Sequence, residues 1–368
     1  MKVLFVTNVP SPYRVKFFNE LGKYCELTVL FEKRTSDERD ASWKDYSLDT
    51  FKGVFLNGKS ISADMAYCPE VVNYVKGQKW DAVICSDFLS PTGMKLTGYL
   101  KRRNIPYVLE SDGGFASPDS FLKKALKKKA ICGADLYLST GMGHDDYYAS
   151  YGAPRKKIIR YPFSSVSDKE ILSAPVSAED KRAIREKLGI TEQQVILAVG
   201  QFIPRKGFDI LLNAANNISS GIGIYFVGGS PTEEYVQLKE KHHLENVHFV
   251  GFKKSDELKK YYMAADVFVL PTREDIWGLV INEALAYGLP IVTTDRCLAG
   301  VELIKDGENG FIVPVEDSKA LADSLNRILS DSELIRLMNE NNLKKAHDHT
   351  IESMVKEHIR LFENTERN

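Results

Sequence analysis

The sequence predicts an α/β protein with two doubly wound domains in tandem. Three observations support this prediction: the chain has 368 residues, short apolar runs alternate with helix-length segments, and the alternation restarts after a polar interruption. Single hydrophobic cores seldom grow beyond roughly 250 to 300 residues, so the length indicates about two domains. The alternation is typical of parallel sheets that carry helices on both faces.

The strands of the first sheet are predicted by six apolar runs: KVLFVTN, ELTVLFE, WDAVICSD, IPYVLES, ADLYLST and KIIRYPF. The first run is too short for a signal-peptide core or a membrane span, and we interpret it as a strand. After Phe163 the polar segment SSVSDKEILSAPVSAED, interrupted by Pro175, predicts a linker. A first domain is therefore expected over residues 1–165.

The second half opens with a helical segment, AEDKRAIREKLGI. The alternation of apolar runs and helix-length segments then resumes, and the apolar runs are QVILAVGQF, GIYFVGG, NVHFVGF, ADVFVLPT, PIVTTD and GFIVPV. These runs predict a second domain over residues 166–348. Helical spacing in the tail, residues 349–368, predicts a C-terminal helix, for which the first domain is one candidate packing partner. Ligands of such sheets bind at the carboxyl ends of the strands, so the cleft between the domains is the expected site.

Charge and cysteine content exclude some classes of function for this chain. The chain has 49 basic and 50 acidic side chains, a balance that provides no global field for nucleic acid and excludes a general nucleic-acid binder. Five widely spaced cysteines lack the pairing of a zinc or redox site and predict reduced core residues of a cytosolic protein. They are Cys25, Cys68, Cys85, Cys132 and Cys297. His347 and His349 lie near a predicted helix boundary, where we expect solvation and no metal site.

Two loops of the second domain carry charged and polar groups at predicted strand ends. Arg205 and Lys206, in VGQFIPRKG, follow the buried run VILAVG. In PTREDIWGLVINEALAYGLP, a turn leads to a helix predicted from about Gly278 to Gly288. Backbone amides at this helix start can hold a phosphate or sugar oxygen, and Gly278 would let a ligand come close. These amides belong to Ile276, Trp277, Gly278 and Leu279.

Glu283 lies in the same predicted helix among apolar neighbours, so its carboxylate should be only partly exposed. Burying a carboxylate without partners is costly. Two ribose hydroxyls would satisfy it, because a carboxylate offers only acceptors. Pairing with a nearby lysine or capping a loop would satisfy it equally, and the spacing leaves these alternatives open.

These motifs resemble those of a known family. Asp275 and Glu283 are separated by seven residues within DIWGLVINEALAYGLPIV, which resembles the E-x7-E signature of retaining glycosyltransferases of family 4. VGQFIPRKG, GGSPTEEYVQLKE and NVHFVGF are similar to donor-domain segments of that family. The resemblance is specific from Val195 to Pro314 and diffuse in the first half.

The resemblance implies a GT-B fold, in which two Rossmann-like domains face an interdomain cleft. It also implies cofactor-free and metal-independent transfer of a sugar from a nucleotide-diphosphate sugar to a saccharide or lipid-linked saccharide, as in surface polysaccharide synthesis. A nucleotide-sugar epimerase of the same fold, which needs no acceptor, is an alternative. A catalytically silent sugar-binding protein is another.

Position by position, the resemblance implies the roles of the charged residues. Arg205 and Lys206 match the basic pair that binds the diphosphate, where fixed cations stabilise the leaving group. Glu283 matches the acid that binds ribose hydroxyls. Asp275 stands where the family usually has Glu and would contact the donor sugar together with the helix-start amides. The adjacent Glu274 could compensate for the shorter side chain.

The resemblance also places Gly228, Gly229 and Phe252 beside the nucleotide. The two glycines would leave room for it, and the region of Phe252 would line the base. An ordinary core aromatic is the alternative interpretation of Phe252.

The first domain is expected to bind the acceptor. The segment NVPSPYRVKFF follows the first strand and predicts a stiff, proline-containing loop that presents Ser11, Tyr13 and Arg14. After PYVL, the segment ESDGGF places Glu110 and Asp112 at another strand end. A carboxylate there could bind the sugar or take the acceptor proton, and we take Asp112 as the catalytic candidate. A purely structural Asp-Gly-Gly turn is the alternative.

A lysine-rich segment, FLKKALKKKAICGA, follows shortly after the cationic triplet Lys101–Arg103. It predicts a basic amphipathic helix that can rest on an anionic membrane surface, which would suit a cytoplasmic protein at the inner face of a membrane. A solvated helix face is the alternative. The predicted membrane-facing residues are Lys123, Lys124, Lys127, Lys128 and Lys129.

Overall fold

A computed structural model of the chain describes residues 1–35, 46–116, 118–219 and 221–365. The chain divides into two compact units. The first domain contains Met1–Ser165 and the C-terminal segment that begins at Thr350, and the second contains Val166–His349. Each is an α/β unit around a parallel sheet, and the prediction of two Rossmann-like domains is confirmed.

The first domain has a seven-stranded sheet in the order β3-β2-β1-β6-β7-β8-β9, and a separate hairpin formed by β4 and β5. Its strands are β1 (Lys2–Thr7), β2 (Glu26–Phe31), β3 (Lys52–Phe55), β4 (Lys59–Ser60), β5 (Ala66–Tyr67), β6 (Ala82–Cys85), β7 (Val108–Glu110), β8 (Leu136–Ser139) and β9 (Ile158–Arg160). Its helices are α1 (Pro12–Leu21), α2 (Pro91–Arg103), α3 (Phe121–Ile131) and α4 (Met142–Ser150).

The second domain has a six-stranded sheet in the order β12-β11-β10-β13-β14-β15. Its strands are β10 (Gln194–Val199), β11 (Ile222–Val227), β12 (Val247–Gly251), β13 (Val267–Leu270), β14 (Ile291–Thr294) and β15 (Gly310–Val313). Its helices are α5 (Ala178–Leu188), α6 (Phe208–Ala215), α7 (Glu233–Lys241), α8 (Ser255–Ala264), α9 (Leu279–Ala286), α10 (Leu298–Leu303), α11 (Ser318–Leu329) and α12 (Ser332–Asp348). The last helix of the chain, α13 (Ile351–Thr365), belongs to the first domain.

Both sheets reverse strand order beside their first strand, between β1 and β6 in the first domain and between β10 and β13 in the second. Parallel strands buried on both faces need continuous apolar sequences, which explains why VFVL and AVIC read as uninterrupted runs. Loops diverge at the carboxyl ends where the order reverses and leave a crevice there. The second-domain crevice is the position of the predicted donor residues.

Helix α1 begins at Pro12, so the expected stiff loop over NVPSPYRVKFF is wrong from that residue onward. Proline fits the first helical position because its missing amide hydrogen would have no partner there. Ser11 precedes the helix and is buried, and Arg14 lies in the first turn and is also buried. The segment therefore packs its polar side chains inward and does not present all of them to a ligand.

Among the described residues, no helix combines the length and apolarity that crossing a membrane requires. The five cysteines are free thiols; Cys68, Cys85 and Cys297 are buried, whereas Cys25 and Cys132 are only half-buried. The description of these last two as core residues is therefore wrong.

Candidate functional site

The candidate site lies at the strand-order reversal of the second domain. Arg205 and Lys206 sit in a short 3-10 turn, Pro204–Lys206, just after β10. Asp275 follows β13, the strand that pairs with β10 in the sheet. The structure therefore brings the predicted basic pair and the predicted first acid together.

Asp275 is an ion-pair partner of both cations. Its Oδ2 lies 2.6 Å from Lys206 Nζ, and its Oδ1 lies 3.3 Å from an Arg205 guanidinium nitrogen. The side chains of Asp275 and Lys206 are 10% and 13% exposed, so each limits the cost of burying the other's charge. Arg205 is 47% exposed and also donates to the Glu274 carbonyl oxygen. Two cations face one carboxylate, which leaves the cluster with positive charge toward the crevice.

A second set of contacts holds the two loops in register. The Arg205 carbonyl oxygen accepts from the Thr272 hydroxyl and from the Arg273 amide, both at 2.8 Å. The Arg273 guanidinium donates to the Pro204 carbonyl oxygen and forms an ion pair with Asp209. Loop positions that carry ligand-binding groups benefit from such rigid support.

Gly207 is required where the two loops touch. It has φ of +66°, and a Cβ there would lie 2.0 Å from the Pro271 carbonyl oxygen. Neither the conformation nor the space suits another residue. The glycine of the RKG sequence is thus explained by close backbone approach.

Gly278 precedes α9 with φ of +100°. A Cβ there would lie 2.9 Å from Cys297 Sγ. Backbone conformation and internal packing therefore require glycine at this position, and its role in admitting a ligand stays a prediction. The following amide, that of Leu279, is at the first helical position and has no intrahelical acceptor by virtue of its place.

The two residues before Gly278 face in different directions. The Trp277 side chain is 1% exposed and donates from Nε1 to Asn282 Oδ1 at 2.8 Å, so only its backbone could serve a ligand. The Ile276 side chain is 48% exposed. The helix start thus combines an internal aromatic anchor with an exposed apolar side chain.

Glu283 is half-buried on α9, as its apolar neighbours predict. Its Oε2 accepts from the Tyr262 hydroxyl at 2.8 Å. The Tyr262 ring stacks on Tyr287, with ring centroids 5.1 Å apart. Burial raises the pKa of Tyr262, so this hydroxyl keeps its proton and remains a donor to the carboxylate. The contact fixes one oxygen of Glu283.

Gly228 and Gly229 follow β11, and Phe252 follows β12. Gly228 has φ of +128°, and a Cβ there would lie 2.5 Å from the Gly200 carbonyl oxygen, so it serves close backbone approach. A Cβ on Gly229 would meet only ordinary van der Waals contacts. Phe252 is 51% exposed, which rules out the alternative of an ordinary core aromatic.

The predicted acceptor-side residues of the first domain mostly bind one another. Arg14 donates to the carboxylates of Glu110 and Asp112, and the Tyr13 hydroxyl donates to Asp112. Glu110 is fully buried and also contacts His358 Nε2 at 2.9 Å. Burial opposes ionisation of Glu110, but the charges of Arg14 and His358 lower its pKa to about 2.

The assignment of Ser11, Arg14 and Glu110 to acceptor contact is therefore wrong, because all three are buried in the domain's own packing. Asp112 has 28% of its side chain exposed, and Tyr13 is half-buried. These two remain reachable at the strand end. The Arg14 pair orients Asp112.

Two carboxyl groups, the buried Glu32 and the half-buried Asp87, were missed by sequence reasoning. Glu32 follows β2 and binds the Ser90 hydroxyl and the Ala66 amide, and burial raises its pKa to about 7. Asp87 follows β6 and accepts from the Asn8 amide at 2.9 Å, and burial raises its pKa to about 6. Glu32 is the last residue of the predicted strand run ELTVLFE, and Asp87 is the last residue of WDAVICSD. Their positions at predicted strand ends were the signal that could have identified them.

A serine–histidine contact was also missed. Ser111 Oγ lies 2.9 Å from His144 Nε2, while His144 Nδ1 accepts from the Thr140 amide at 3.1 Å. The hydrogen of the neutral ring is therefore on Nε2 and points at the serine. Burial lowers the pKa of His144 to about 3. This histidine cannot act as the base for Ser111 and has a structural role.

No group of three or more His, Cys, Asp or Glu side chains within the described ranges is arranged to hold a metal ion. His347 Nδ1 instead contacts Asp168 Oδ1 at 2.7 Å.

Comparison with known proteins bears on this arrangement. Residues 180–345 match the family model of glycosyl transferases group 1. The crystal structure of Anabaena Alr3699/HepE in complex with UDP matches with a TM-score of 0.82 at 17% identity, covering 99% of this chain and 100% of that chain. The structural similarity shows the GT-B fold, and the family model shows that residues 180–345 are similar to glycosyl transferases group 1. The matched range contains the whole candidate site of the second domain.

Two sequence relatives extend the comparison. The chain is 26% identical over 268 residues to the uncharacterized glycosyltransferase MJ1607 of Methanocaldococcus jannaschii, covering 69% of this chain and 67% of that protein. It is 30% identical over 142 residues to the lipopolysaccharide core biosynthesis glycosyltransferase LpsE of Rhizobium meliloti, covering 38% and 41%. The chain spans about half the length of several other curated relatives that it matches.

Proposed function

We propose that the chain is a retaining glycosyltransferase of family 4 that works without metal or cofactor. It transfers a sugar from a nucleotide-diphosphate sugar to a saccharide or lipid-linked saccharide acceptor in surface polysaccharide synthesis. The observation that carries the proposal is the convergence of Arg205, Lys206, Asp275 and the start of α9 at one strand-order reversal. The UDP bound in the Anabaena structure and the name of the Rhizobium relative support the substrate class.

Charge at the crevice suits the departure of a diphosphate. Breaking the bond between sugar and phosphate leaves negative charge on the nucleotide, and preorganised cations stabilise it most effectively. Arg205 presents an exposed guanidinium, whose fork matches phosphate oxygens. Lys206 is held in place by Asp275 and would exchange part of that contact for a phosphate oxygen. Asp275 and the Leu279 amide would then bind the donor sugar.

The nucleoside would bind across the neighbouring strands. Glu283 is a carboxylate and would accept hydrogen bonds from ribose hydroxyls, as its Oε2 accepts from the Tyr262 hydroxyl at 2.8 Å. Phe252 offers an exposed ring for the base beyond β12. Gly228 and Gly229 carry no side chains and would leave room for the nucleotide at the end of β11. Gly228, Gly229 and Phe252 follow neighbouring strands of one sheet, and Glu283 lies on α9.

The first domain would bind the acceptor near Asp112 and Tyr13. Asp112 keeps exposed surface and is oriented by Arg14, so it would accept a hydrogen bond from an acceptor hydroxyl or take its proton. Arg14, Glu110 and Ser11 would act only through packing. The cytoplasmic location that we propose follows from the nucleotide-sugar donor.

The function is tested first by ligand and product. Among a panel of nucleotide sugars, we expect one to raise the melting temperature, because a ligand at about 100 times its Kd stabilises the fold by roughly 2.7 kcal/mol. With the true acceptor, release of nucleoside diphosphate should accelerate. Conversion of the donor without acceptor would instead indicate an epimerase, and binding without turnover would indicate a silent binding protein.

The site is tested by Lys206→Ala. We expect kcat/KM for transfer to fall by about 100-fold or more, because one fixed donor to the developing charge is lost. Lys305→Ala, at an exposed lysine of the same domain, is the matched control and should retain activity. Near-wild-type transfer by Lys206→Ala would refute the assignment of the diphosphate site.

Glu283→Gln separates nucleoside binding from chemistry. We expect the KM for the donor to rise about tenfold with a smaller change in kcat, since the ribose is remote from the reacting bond. Isothermal calorimetry with free nucleoside diphosphate should show the same loss. An unchanged affinity would contradict the ribose role and favour a purely structural pairing with Tyr262.

A further inference from the structure

Helix α3 turns apolar side chains toward solvent. Phe121, Leu122 and Leu126 are 85%, 79% and 49% exposed, whereas Ala130 and Ile131 are buried. With about 100° between successive residues, the three exposed side chains fall within about 140° of the helix circumference. A helix that merely covers a core would place such residues inward. The first two turns of α3 therefore expose an apolar surface formed by Phe121, Leu122 and Leu126, which we call the α3 surface.

Lysines flank the α3 surface. Lys124, Lys128 and Lys129 are exposed, and Lys123 has 61% of its side chain exposed. Residues 113–134 contain five lysines and a single acidic residue, Asp119. The cationic end of α2 is adjacent, because Lys101 Nζ donates to the Lys129 carbonyl oxygen at 2.7 Å. Positive charge is thus concentrated on a chain whose net charge is only −1.

Lys127 is not part of this surface, which corrects the expectation from the sequence. Its side chain is 14% exposed, and its Nζ lies 2.7 Å from Asp119 and 3.2 Å from the Tyr151 hydroxyl. Asp119 also pairs with Lys123. These contacts attach α3 to its own domain, so the exposed side chains are presented by a preformed and anchored helix.

We propose that the α3 surface docks the first domain on an anionic lipid bilayer. Phe121, Leu122 and Leu126 enter the boundary between headgroups and acyl chains, and Lys124, Lys128 and Lys129 contact anionic headgroups. Apolar side chains flanked by lysines are typical of interfacial helices. Protein interfaces are depleted of lysine, so a protein partner fits this composition less well. The proposal stands apart from glycosyl transfer and needs no donor for its test.

The apolar arm of the test uses sedimentation of the full chain with vesicles. Wild type should sediment with vesicles of phosphatidylcholine and phosphatidylglycerol and remain in solution with phosphatidylcholine alone. Phe121→Ser/Leu122→Ser should reduce the bound fraction at least tenfold at fixed lipid. Leu337→Ser, at an exposed leucine of the second domain, is the control and should bind as wild type does.

A second part of the test neutralises, in one variant, three lysines that flank the α3 surface. Lys124→Gln/Lys128→Gln/Lys129→Gln should lower the partition coefficient at least tenfold, and raised salt should weaken wild-type binding similarly. The control neutralises three exposed lysines of the second domain: Lys305→Gln/Lys319→Gln/Lys344→Gln. Equal loss in both triple variants would show that total charge governs binding and would overturn the proposal.

Two further outcomes would overturn the proposal. Failure of the wild-type protein to bind either type of vesicle would overturn the proposal, whether or not the protein transfers sugar. A dimer in the absence of lipid that dissociates on Phe121→Ser/Leu122→Ser would assign the surface to a second copy of the chain. Circular dichroism of each variant establishes that loss of binding is not loss of fold.

Discussion

At the scale of single residues, Asp275 has two consequences for the site. It neutralises part of the charge of Lys206 and Arg205 at 2.6 and 3.3 Å, and its side chain is 10% exposed. An anionic ligand must therefore compete with an internal carboxylate for the same cations. The same competition disfavours retention of the product diphosphate, which links the acid to product release.

Asp275→Asn tests this competition. We expect the Kd for free nucleoside diphosphate to fall about tenfold, equivalent to about 1.4 kcal/mol, because both cations lose their internal counter-charge. Transfer should nevertheless decrease, since the amide cannot replace a carboxylate acceptor toward the donor sugar. Calorimetric titration measures the first effect and steady-state kinetics the second.

Glu274→Gln is the matched control for that experiment. Glu274 is adjacent to Asp275 but forms its ion pair with Arg296, 2.6 Å away, on the exposed side of the turn. We expect the affinity of the Glu274→Gln variant for nucleoside diphosphate to stay within about twofold of wild type, because an exposed ion pair contributes little. Weaker binding by Asp275→Asn would contradict the competition.

At the scale of elements, α13 is joined to the first domain by a buried polar contact. His358 Nδ1 faces the Met354 carbonyl oxygen at 2.8 Å, and Nε2 faces Glu110 Oε2 at 2.9 Å. Each ring nitrogen of His358 therefore contacts an oxygen acceptor. Arg14 on α1 binds the same carboxylate. One glutamate on β7 thus connects the first and last helices of the chain.

Glu110→Gln should loosen α13. The substitution removes the carboxylate that the buried side chains of Arg14 and His358 both contact, and losing one partner of a buried pair costs about 3–5 kcal/mol. Hydrogen exchange measured by mass spectrometry should accelerate in peptides of α13 and α1 and stay unchanged in the second domain. Glu26→Gln, at an exposed acid of β2 that lies 3.8 Å from Lys2, is the control. Unchanged exchange in α13 would contradict the joining role.

The same elements explain what sequence patterns could predict. Strands such as β10 and β13 were predictable because burial on both faces requires continuous apolar runs. The short edge strand β3, KGVF, was missed because its residues are exposed or only half-buried and its apolar run is two residues long. Helical spacing identified α3 as a basic amphipathic helix, but spacing does not say which face packs, so the inward position of Lys127 could not be predicted.

Some features of the candidate site could also be predicted from the sequence, and others could not. Arg205, Lys206 and Asp275 could be grouped because parallel strand ends meet at one sheet edge. The pairing of Arg14 with Glu110 could not be predicted, since it joins residues 96 positions apart through side-chain packing. The packing requirement for Gly278 could not be predicted, because the sequence does not indicate which atom, here Cys297 Sγ, excludes a side chain.

At the scale of the whole molecule, titratable groups whose pKa values are shifted by burial have opposite effects on stability across the acidic pH range. Folding lowers the pKa of His144 to about 3 and of His349 to about 4, so these histidines contribute stability above about pH 6.5 that is lost as the pH falls. Folding raises the pKa of Glu32 to about 7 and of Asp87 to about 6. These carboxyls contribute stability at low pH that is lost as the pH rises through those values. The two pairs compensate, and we expect a nearly flat stability profile between about pH 4.5 and 6.

His144→Gln should remove this balance. The unfolded wild-type chain binds a proton at His144 between about pH 3 and 6.5 that the folded chain excludes, and the variant loses that difference. Relative to wild type, its free energy of unfolding should therefore decrease with rising pH by about 1.4 kcal/mol per pH unit in this interval. Urea denaturation at successive pH values measures the slope, which is independent of any constant loss from the substitution itself. A slope equal to that of wild type for His144→Gln would mean that the folded protein admits the proton, against the buried Nδ1 contact with the Thr140 amide.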